Sequence, residues 1–350
     1  MEKTIDYVEA ASLPHALFVD VRSESEFAAD HIPGAINLPV LNDAEREATG
    51  KVYHQLSPKE ARQLGLEIIS PKLPALVRQV TELAQKHEVI LYCWRGGMRS
   101  SCLSVVLDLM HVPIYRLQGG YKTYRNWVNQ YWQKPLLCPV LVLCGNTGVG
   151  KTLVLHELAS LGYQAIDLEG LAGHRGSAFG LVGLAPQPTQ KTFESRLYAA
   201  ISQLDPTKPL ILECESRRIG KLMLPESVHH AIVEGKRILL YDTIAHRVDK
   251  ILADYQPDKT TLEVQQALSH LTPYLGKQKI QNMLEQLANQ DFATVVASLL
   301  TDYYDHLYRY PNGPDSTYSC CFMAEDPKAT AAAIARFLEK DNALAEVKAF

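Results

Sequence analysis

The chain has 350 residues, a formal net charge of −4, 47% apolar and 21% charged residues. At about 150 residues per domain this length suggests two domains, and the composition excludes a mainly disordered chain. No apolar run approaches the ~20 residues of a membrane span, and MEKTIDYVEA lacks the basic and apolar regions of a signal peptide, so a cytoplasmic location without a membrane partner is expected.

The seven cysteines include no CxxC pair, which argues against a zinc ribbon or a thioredoxin-type motif and for reduced thiols. The net charge gives no global footprint for nucleic acid. Its distribution is uneven: residues 1–60 carry 5 Lys/Arg against 11 Asp/Glu, and residues 61–134 carry 10 against 4. A local anion-binding face is permitted by this asymmetry.

In chain order, Leu17-Phe18-Val19-Asp20-Val21 reads as a short strand, and Ser23-Glu24-Ser25-Glu26 fits a capping box that opens a helix. His31-Ile32-Pro33-Gly34-Ala35 is a Pro-Gly turn. Val89-Ile90-Leu91-Tyr92 is a strand leading into Cys93, a helix starts near Ser100, and Ile114–Leu117 is a strand ended by Gly119-Gly120. Near Lys134-Pro135 the pattern restarts, with strands over Pro139–Leu143, Gln164–Ile166, Leu210–Leu212 and Arg237–Leu240. Beyond Thr243 helical patterning dominates, near 244–255, 261–271, 277–289 and 292–305. Alternating strands and helices imply parallel α/β sheets. The expected organisation is an α/β domain over residues 1–133 and a second over 134–350, with a helical C-terminal extension from about 243.

Cys93-Trp94-Arg95-Gly96-Gly97-Met98-Arg99-Ser100 lies between a strand and a helix. There, backbone N–H groups of a tight loop and a helix N-terminus point at the sulfur. Gly96 and Gly97 let the backbone curl without a Cβ clash, and Arg95 and Arg99 add positive charge for an anionic substrate. Together with Phe18–Arg22, Glu26-Phe27 and His31–Pro39, this loop resembles a rhodanese domain over about residues 5–130. The resemblance implies that Cys93 carries a chalcogen, as a persulfide or its selenium counterpart. Cys93 and Arg99 enclose five residues, a C-x5-R spacing also found in cysteine phosphatases, while Tyr92 stands where those enzymes usually place His.

Gly145-Asn146-Thr147-Gly148-Val149-Gly150-Lys151-Thr152 matches the phosphate loop G-x-x-x-x-G-K-[ST] between an apolar strand and a helix. Its N–H groups surround phosphate oxygens, Lys151 neutralises charge, and Thr152 is the candidate Mg²⁺ ligand. The metal-side acid is open between Asp167/Glu169 and Glu213/Glu215. His174 and Arg175, in the Gly-containing loop 168–180, are candidate phosphate or nucleic-acid contacts, and Arg217 is a weaker one. Tyr303–Tyr310 is rich in aromatics, which stack on unpaired bases or pack into a core.

The order of a rhodanese domain and a P-loop domain, with Tyr53-His54-Gln55, Glu213–Arg217 and Tyr304–Tyr310, resembles the tRNA 2-selenouridine synthase family. That resemblance implies replacement of sulfur by selenium in wobble 2-thiouridine, with selenophosphate as donor. It also implies an S-geranyl intermediate made from geranyl diphosphate. Cys93 would then take selenium as a selenyl-sulfide, Arg95 and Arg99 would hold selenophosphate, and the P-loop would hold the prenyl diphosphate. No tightly bound cofactor is expected, and Mg²⁺ at Thr152 is the candidate metal. Six basic residues between Arg95 and Lys134 (Arg95, Arg99, Arg116, Lys122, Arg125, Lys134) against Asp108 offer a stretch for tRNA phosphates. A phosphatase–kinase fusion and a non-catalytic docking module are the alternatives.

Overall fold

The computed structural model describes residues 3–255 and 257–340. It divides into two compact units. One reaches to Tyr131 and includes Glu194–Ala199; the other comprises Trp132–Phe193 and the described residues from Ala200 on.

The first unit is built on β1 (Lys3–Ile5), β2 (Ala16–Asp20), β3 (Ile36–Asn37), β4 (Glu88–Tyr92) and β5 (Tyr115–Leu117), in the order β1-β5-β4-β2-β3. Every pairing is parallel, with Phe18 opposite Ile90 and Asp20 opposite Tyr92. The apolar run Val89–Tyr92 is fully buried, as a parallel strand covered on both faces requires. From β2 the chain moves out to β3 and then returns to β4 on the other side. The C-terminal ends of β2 and β4 therefore flank the point where strand order reverses, the usual place for a site. Ser23 and Glu26 form the expected reciprocal cap. Three helices, Asp43–Gln55, Pro58–Ile69 and Leu73–Ala84, fill the stretch between β3 and β4.

The second unit has β6 (Val140–Cys144), β7 (Gln164–Ile166), β8 (Leu210–Glu213), a small antiparallel hairpin β9 (Arg218–Ile219) and β10 (Leu222–Met223), then β11 (Lys236–Tyr241) and β12 (Cys320–Met323). Its main sheet is parallel in the order β12-β11-β6-β8-β7, so β6 is central and ends at the reversal of strand order. All five β6 residues are buried. The helices Ile244–Tyr255, Lys277–Ala288 and Phe292–Leu299 share a separate core containing Val248, Met283, Val295 and Tyr304. This helical part is an excursion between β11 and β12. The chain re-enters the sheet and ends its described part in the helix Pro327–Lys340, whose Ile334 and Leu338 pack with Leu155 and Leu158 of the helix Lys151–Ser160. Among the described residues no helix is long and apolar enough to cross a membrane.

Candidate functional site

Cys93 is the first residue after β4, and its side chain is 3% exposed. Gly96 takes φ +64° and Gly97 caps the helix Met98–Leu109. This curl aims two donors at the sulfur: the Gly97 N–H lies 3.2 Å from Sγ and the Ser100 hydroxyl 3.3 Å. The loop is clamped from the first turn of the helix Gly120–Tyr131 that follows β5. Tyr121 N–H donates to the Cys93 carbonyl at 2.8 Å and Lys122 N–H to that of Trp94 at 2.9 Å. A Cβ on Gly120 would stand 2.2 Å from the Cys93 carbonyl oxygen, so only glycine permits this approach.

The charges around the loop are mostly paired. Arg99 donates to Glu26 at 2.5 and 3.2 Å, and Arg46 lies 3.2 Å from the same carboxylate. Burial pushes the Glu26 carboxyl up, but the Arg99 bonds outweigh it and hold the group below its ordinary range. Arg95 is exposed and has no ion pair among the described residues. Beneath the loop, Arg22 is 1% exposed, grips Asp20 at 2.6 Å and lies 4.0 Å from the Tyr121 ring centroid. Of the remaining basic residues expected to meet tRNA, Arg116 donates to the Gly96 carbonyl and the buried Arg125 to Ser195 and Glu194. Lys122 and Lys134 are exposed.

Gly145 through Thr152 form the turn from β6 into the helix Lys151–Ser160, with Gly148 at φ +78° and Gly150 at +94°. A Cβ on Gly145 would meet the Leu240 carbonyl oxygen at 2.4 Å. Val149 N–H returns to the Asn146 carbonyl at 3.2 Å, and Lys151 Nζ reaches the Gly145 carbonyl at 3.0 Å. The Asn146 amide donates to Tyr310 O and Asn312 Oδ1, both at 3.0 Å, while its own buried Oδ1 has no partner among the described residues. Two cations brace the outer carbonyls. Arg247 reaches Thr147 O at 2.8 Å while paired with Asp305, and Lys250 reaches Val149 O at 3.2 Å while paired with Asp242.

The carboxylates separate into two roles. Asp167 caps the short helix Leu168–Ala172 and meets His156 at 2.9 Å. Glu213, at the end of β8, takes the Thr152 hydroxyl at 3.2 Å and the Glu169 N–H at 2.9 Å. Burial and then the charges of Glu215 and Asp167 push the Glu213 carboxyl up to about 8. Glu169 is pushed up to about 10 by burial and then by Glu213 and Glu215. Glu215 is also raised, chiefly by burial, with Lys151 opposing. So many carboxyl oxygens with so little compensating charge suit a cation. Among the described residues no three His, Cys, Asp or Glu side chains converge as a ready-made metal cage. The adjacent Thr152 and Glu213 oxygens fit Mg²⁺, which keeps several water or phosphate oxygens and needs few protein ligands.

The other candidates turn inward or bond to neighbours. His174 is buried between Gly180 and Gly220, with Nδ1 unpartnered and its basicity lowered by desolvation. Arg175 bonds Val182 O and Asp254, each at 2.7 Å, with its guanidinium 4.6 Å from the Tyr255 ring centroid. Arg217 pairs with Glu226 at 2.5 Å at the surface. Tyr304 is buried and stacks on Tyr308, which is 41% exposed, so the aromatic segment roots one ring in the core and leaves 306–309 at the surface.

Sequence reasoning placed Ser100 in the Cys93 segment without giving its hydroxyl a role, and missed Gly120, Arg247 and Cys214 as parts of these sites. Cys214 receives the Tyr310 hydroxyl at 3.1 Å and is lowered to about 6, first by its hydrogen bond with Cys144. Its sequence signals are its position just beyond a strand and its place inside Glu213–Arg217.

The description "tRNA 2-selenouridine synthase AAA domain" matches residues 138–340, and "Rhodanese-like domain" matches residues 5–126. A relative in Nitrosomonas europaea is 34% identical over 304 residues, covering 84% of this chain and 78% of its own. One in Sulfurovum sp. (strain NBC37-1) is 34% identical over 323 residues, covering 83% and 87%. One in Hydrogenovibrio crunogenus is 34% identical over 338 residues, covering 87% and 91%. All three are named tRNA 2-selenouridine synthase.

Proposed function

The chain belongs to the tRNA 2-selenouridine synthase family, and from that premise we propose that it replaces the sulfur of wobble-position 2-thiouridine in tRNA with selenium. The observation that carries the reading is a buried thiol with two donors aimed at it, in the same chain as a phosphate loop whose lysine and threonine adjoin a buried carboxylate.

The proposed donors are geranyl diphosphate and selenophosphate. The thiouridine sulfur attacks C1 of the geranyl group and diphosphate leaves. Lys151 and the loop N–H groups stabilise the departing charge, and Mg²⁺ held by Thr152 and Glu213 would supply further neutralisation. Alkylation converts a poor leaving sulfur into a good one. In the second stage selenium from selenophosphate forms the bond to C2, the C2–S bond breaks, and geranylthiolate leaves. The phosphoryl group passes to water as inorganic phosphate.

Selenophosphate already carries selenium as selenide, so that overall exchange is redox-neutral. A selenyl-sulfide on Cys93 lies two electrons higher, so a route through it first gives two electrons to an oxidant such as a disulfide and regains them from added thiol when the S–Se bond is reduced and selenide is delivered. A phosphatase reading needs the loop arginine to face a phosphate, whereas Arg99 faces Glu26.

Mass spectrometry of nucleosides tests the reading, using 2-thiouridine tRNA incubated with both donors. Wild type should give geranylated and selenated uridine, Cys93→Ala only the geranylated product, and Lys151→Ala neither. Absence of any modified uridine with wild type would discard the synthase reading. Loss of added thiol stopping only selenation would favour the selenyl-sulfide route.

A further inference from the structure

The basic residues near the Cys93 loop leave open where an RNA strand would lie, because Arg116 and Arg125 turn inward. Beside the loop is a cleft of about 560 Å³, lined by Leu41, Arg46, Gly50, Lys51, Tyr53 and Arg99 among others. We propose that this cleft binds a single-stranded RNA segment and presents its base to the Cys93 loop, a proposal that rests on the tRNA reading above.

The helix Asp43–Gln55 forms one wall, and it buries none of its side chains. Its place is kept by packing on the helix Pro58–Ile69, where Thr49 faces Gly65, and by ties at its edges: the Asn42/Glu45 capping box, Lys72 on Glu45, and Arg46 on Glu26. Tyr53 is 49% exposed, and its ring meets the exposed His54 edge-on at 5.5 Å. Core packing therefore does not account for this aromatic pair. Exposed aromatics beside cations are how proteins hold unpaired bases without a sequence code.

Gly50 gives a second, independent observation. It sits inside this helix, where glycine is among the poorest formers, yet its φ is not positive. A Cβ there would meet nothing within 4 Å. Neither backbone conformation nor close packing calls for glycine. Its effect is to leave the cleft wall bare, as close approach of a ligand requires.

The charge suits phosphate. Arg46 and Arg99 share Glu26, and Lys51 pairs with Glu47, so three cations face two carboxylates. The location suits the chemistry as well. Leu41 of the cleft and Cys93 belong to one buried cluster, and Arg99 lies in the first turn of the helix that follows the cysteine loop.

The test is fluorescence anisotropy with a labelled anticodon stem-loop RNA carrying 2-thiouridine, using the full chain and no donors. Tyr53→Ala should weaken binding about tenfold and Tyr53→Phe should restore it. Gly50→Leu should weaken binding by a similar factor while the melting temperature holds or rises, since leucine is the better helix former. Affinities of Tyr53→Ala and Gly50→Leu within twofold of wild type would overturn the proposal, as would no binding by wild type. Because the readout is binding alone, wild type that binds through the cleft yet forms no selenouridine defeats the synthase reading and leaves the cleft standing. Selenouridine formation with unaltered variant affinities does the reverse.

Discussion

The Cys93 loop and the phosphate loop are built alike and handle charge in opposite ways. Each follows the central part of a parallel sheet, curls through glycines and enters a helix. At Cys93 the nearby charges are already matched, Glu26 against Arg99 and Arg46, and Asp20 against Arg22. At the phosphate loop Glu169, Glu213 and Glu215 are all raised, with Lys151 as the cation opposing them. One loop is nearly balanced, with a small excess of cations that includes Arg95, which has no ion pair among the described residues, and the other leaves carboxylates short of compensation. The difference indicates that the first stage of the proposed reaction depends on ions and the second on the geometry of a thiol.

The largest expected effect separates the two loops directly. Cys93→Ala should lower selenouridine formation by roughly 10³-fold or more while geranylation continues, because the residue proposed to carry selenium covalently is removed. Lys151→Ala should lower geranylation by about 10²–10³-fold, the usual range for losing one preorganised charge contact. Product ratios from nucleoside mass spectrometry check both, and equal loss of both products in Cys93→Ala would erase the distinction.

Next comes Gly120→Ala. The added Cβ would fall 2.2 Å from the Cys93 carbonyl at a φ of +61°, so a destabilisation of about 3 kcal/mol is expected. Urea midpoints measure it. A change under about 1 kcal/mol would show that the loop relaxes easily and is not held by this close approach.

The carboxylates give a pH signature. A carboxyl raised on folding adds most to stability below its unfolded value and loses that contribution as pH rises through the folded one. With Glu213 at about 8 and Glu169 at about 10, melting temperature without divalent cation should fall between about pH 5 and pH 10. Mg²⁺ should raise it more at pH 9 than at pH 6, and Glu213→Gln should flatten the decline. Thermal melts with and without Mg²⁺ decide this, and a pH-independent melt would remove the charge contrast between the loops.

The smallest expected effect is on the cysteine side. Glu26→Gln removes ion pairs that are only partly buried, so a loss of about 1 kcal/mol is expected. RNA affinity should rise a few-fold as Arg46 and Arg99 are released, which salt-dependent anisotropy would detect.

Much of the framework is legible locally. Val89–Tyr92 before Cys93 and Pro139–Leu143 before Gly145 read as buried strands because continuous apolar runs fit parallel strands, and the structure places β4 and β6 there. The Ser23/Glu26 box closes as read, since both partners lie within one turn. Short or tertiary-dependent pieces were illegible. β12 is four residues whose strand character comes from pairing with β11, with Cys320 opposite Ile238. The helix Asp43–Gln55 buries no side chain, so it leaves little apolar periodicity to read.

The same division holds at the sites. The sequence by itself determined which thiol and which phosphate loop this protein has, because each is a contiguous segment whose chemistry follows from residue type and spacing. Only the tertiary structure decided that Arg99 faces Glu26, that Glu213 meets Thr152, and that Tyr121 clamps Cys93. These contacts join residues tens of positions apart, and their energies depend on burial and close approach that exist only once the sheets have formed.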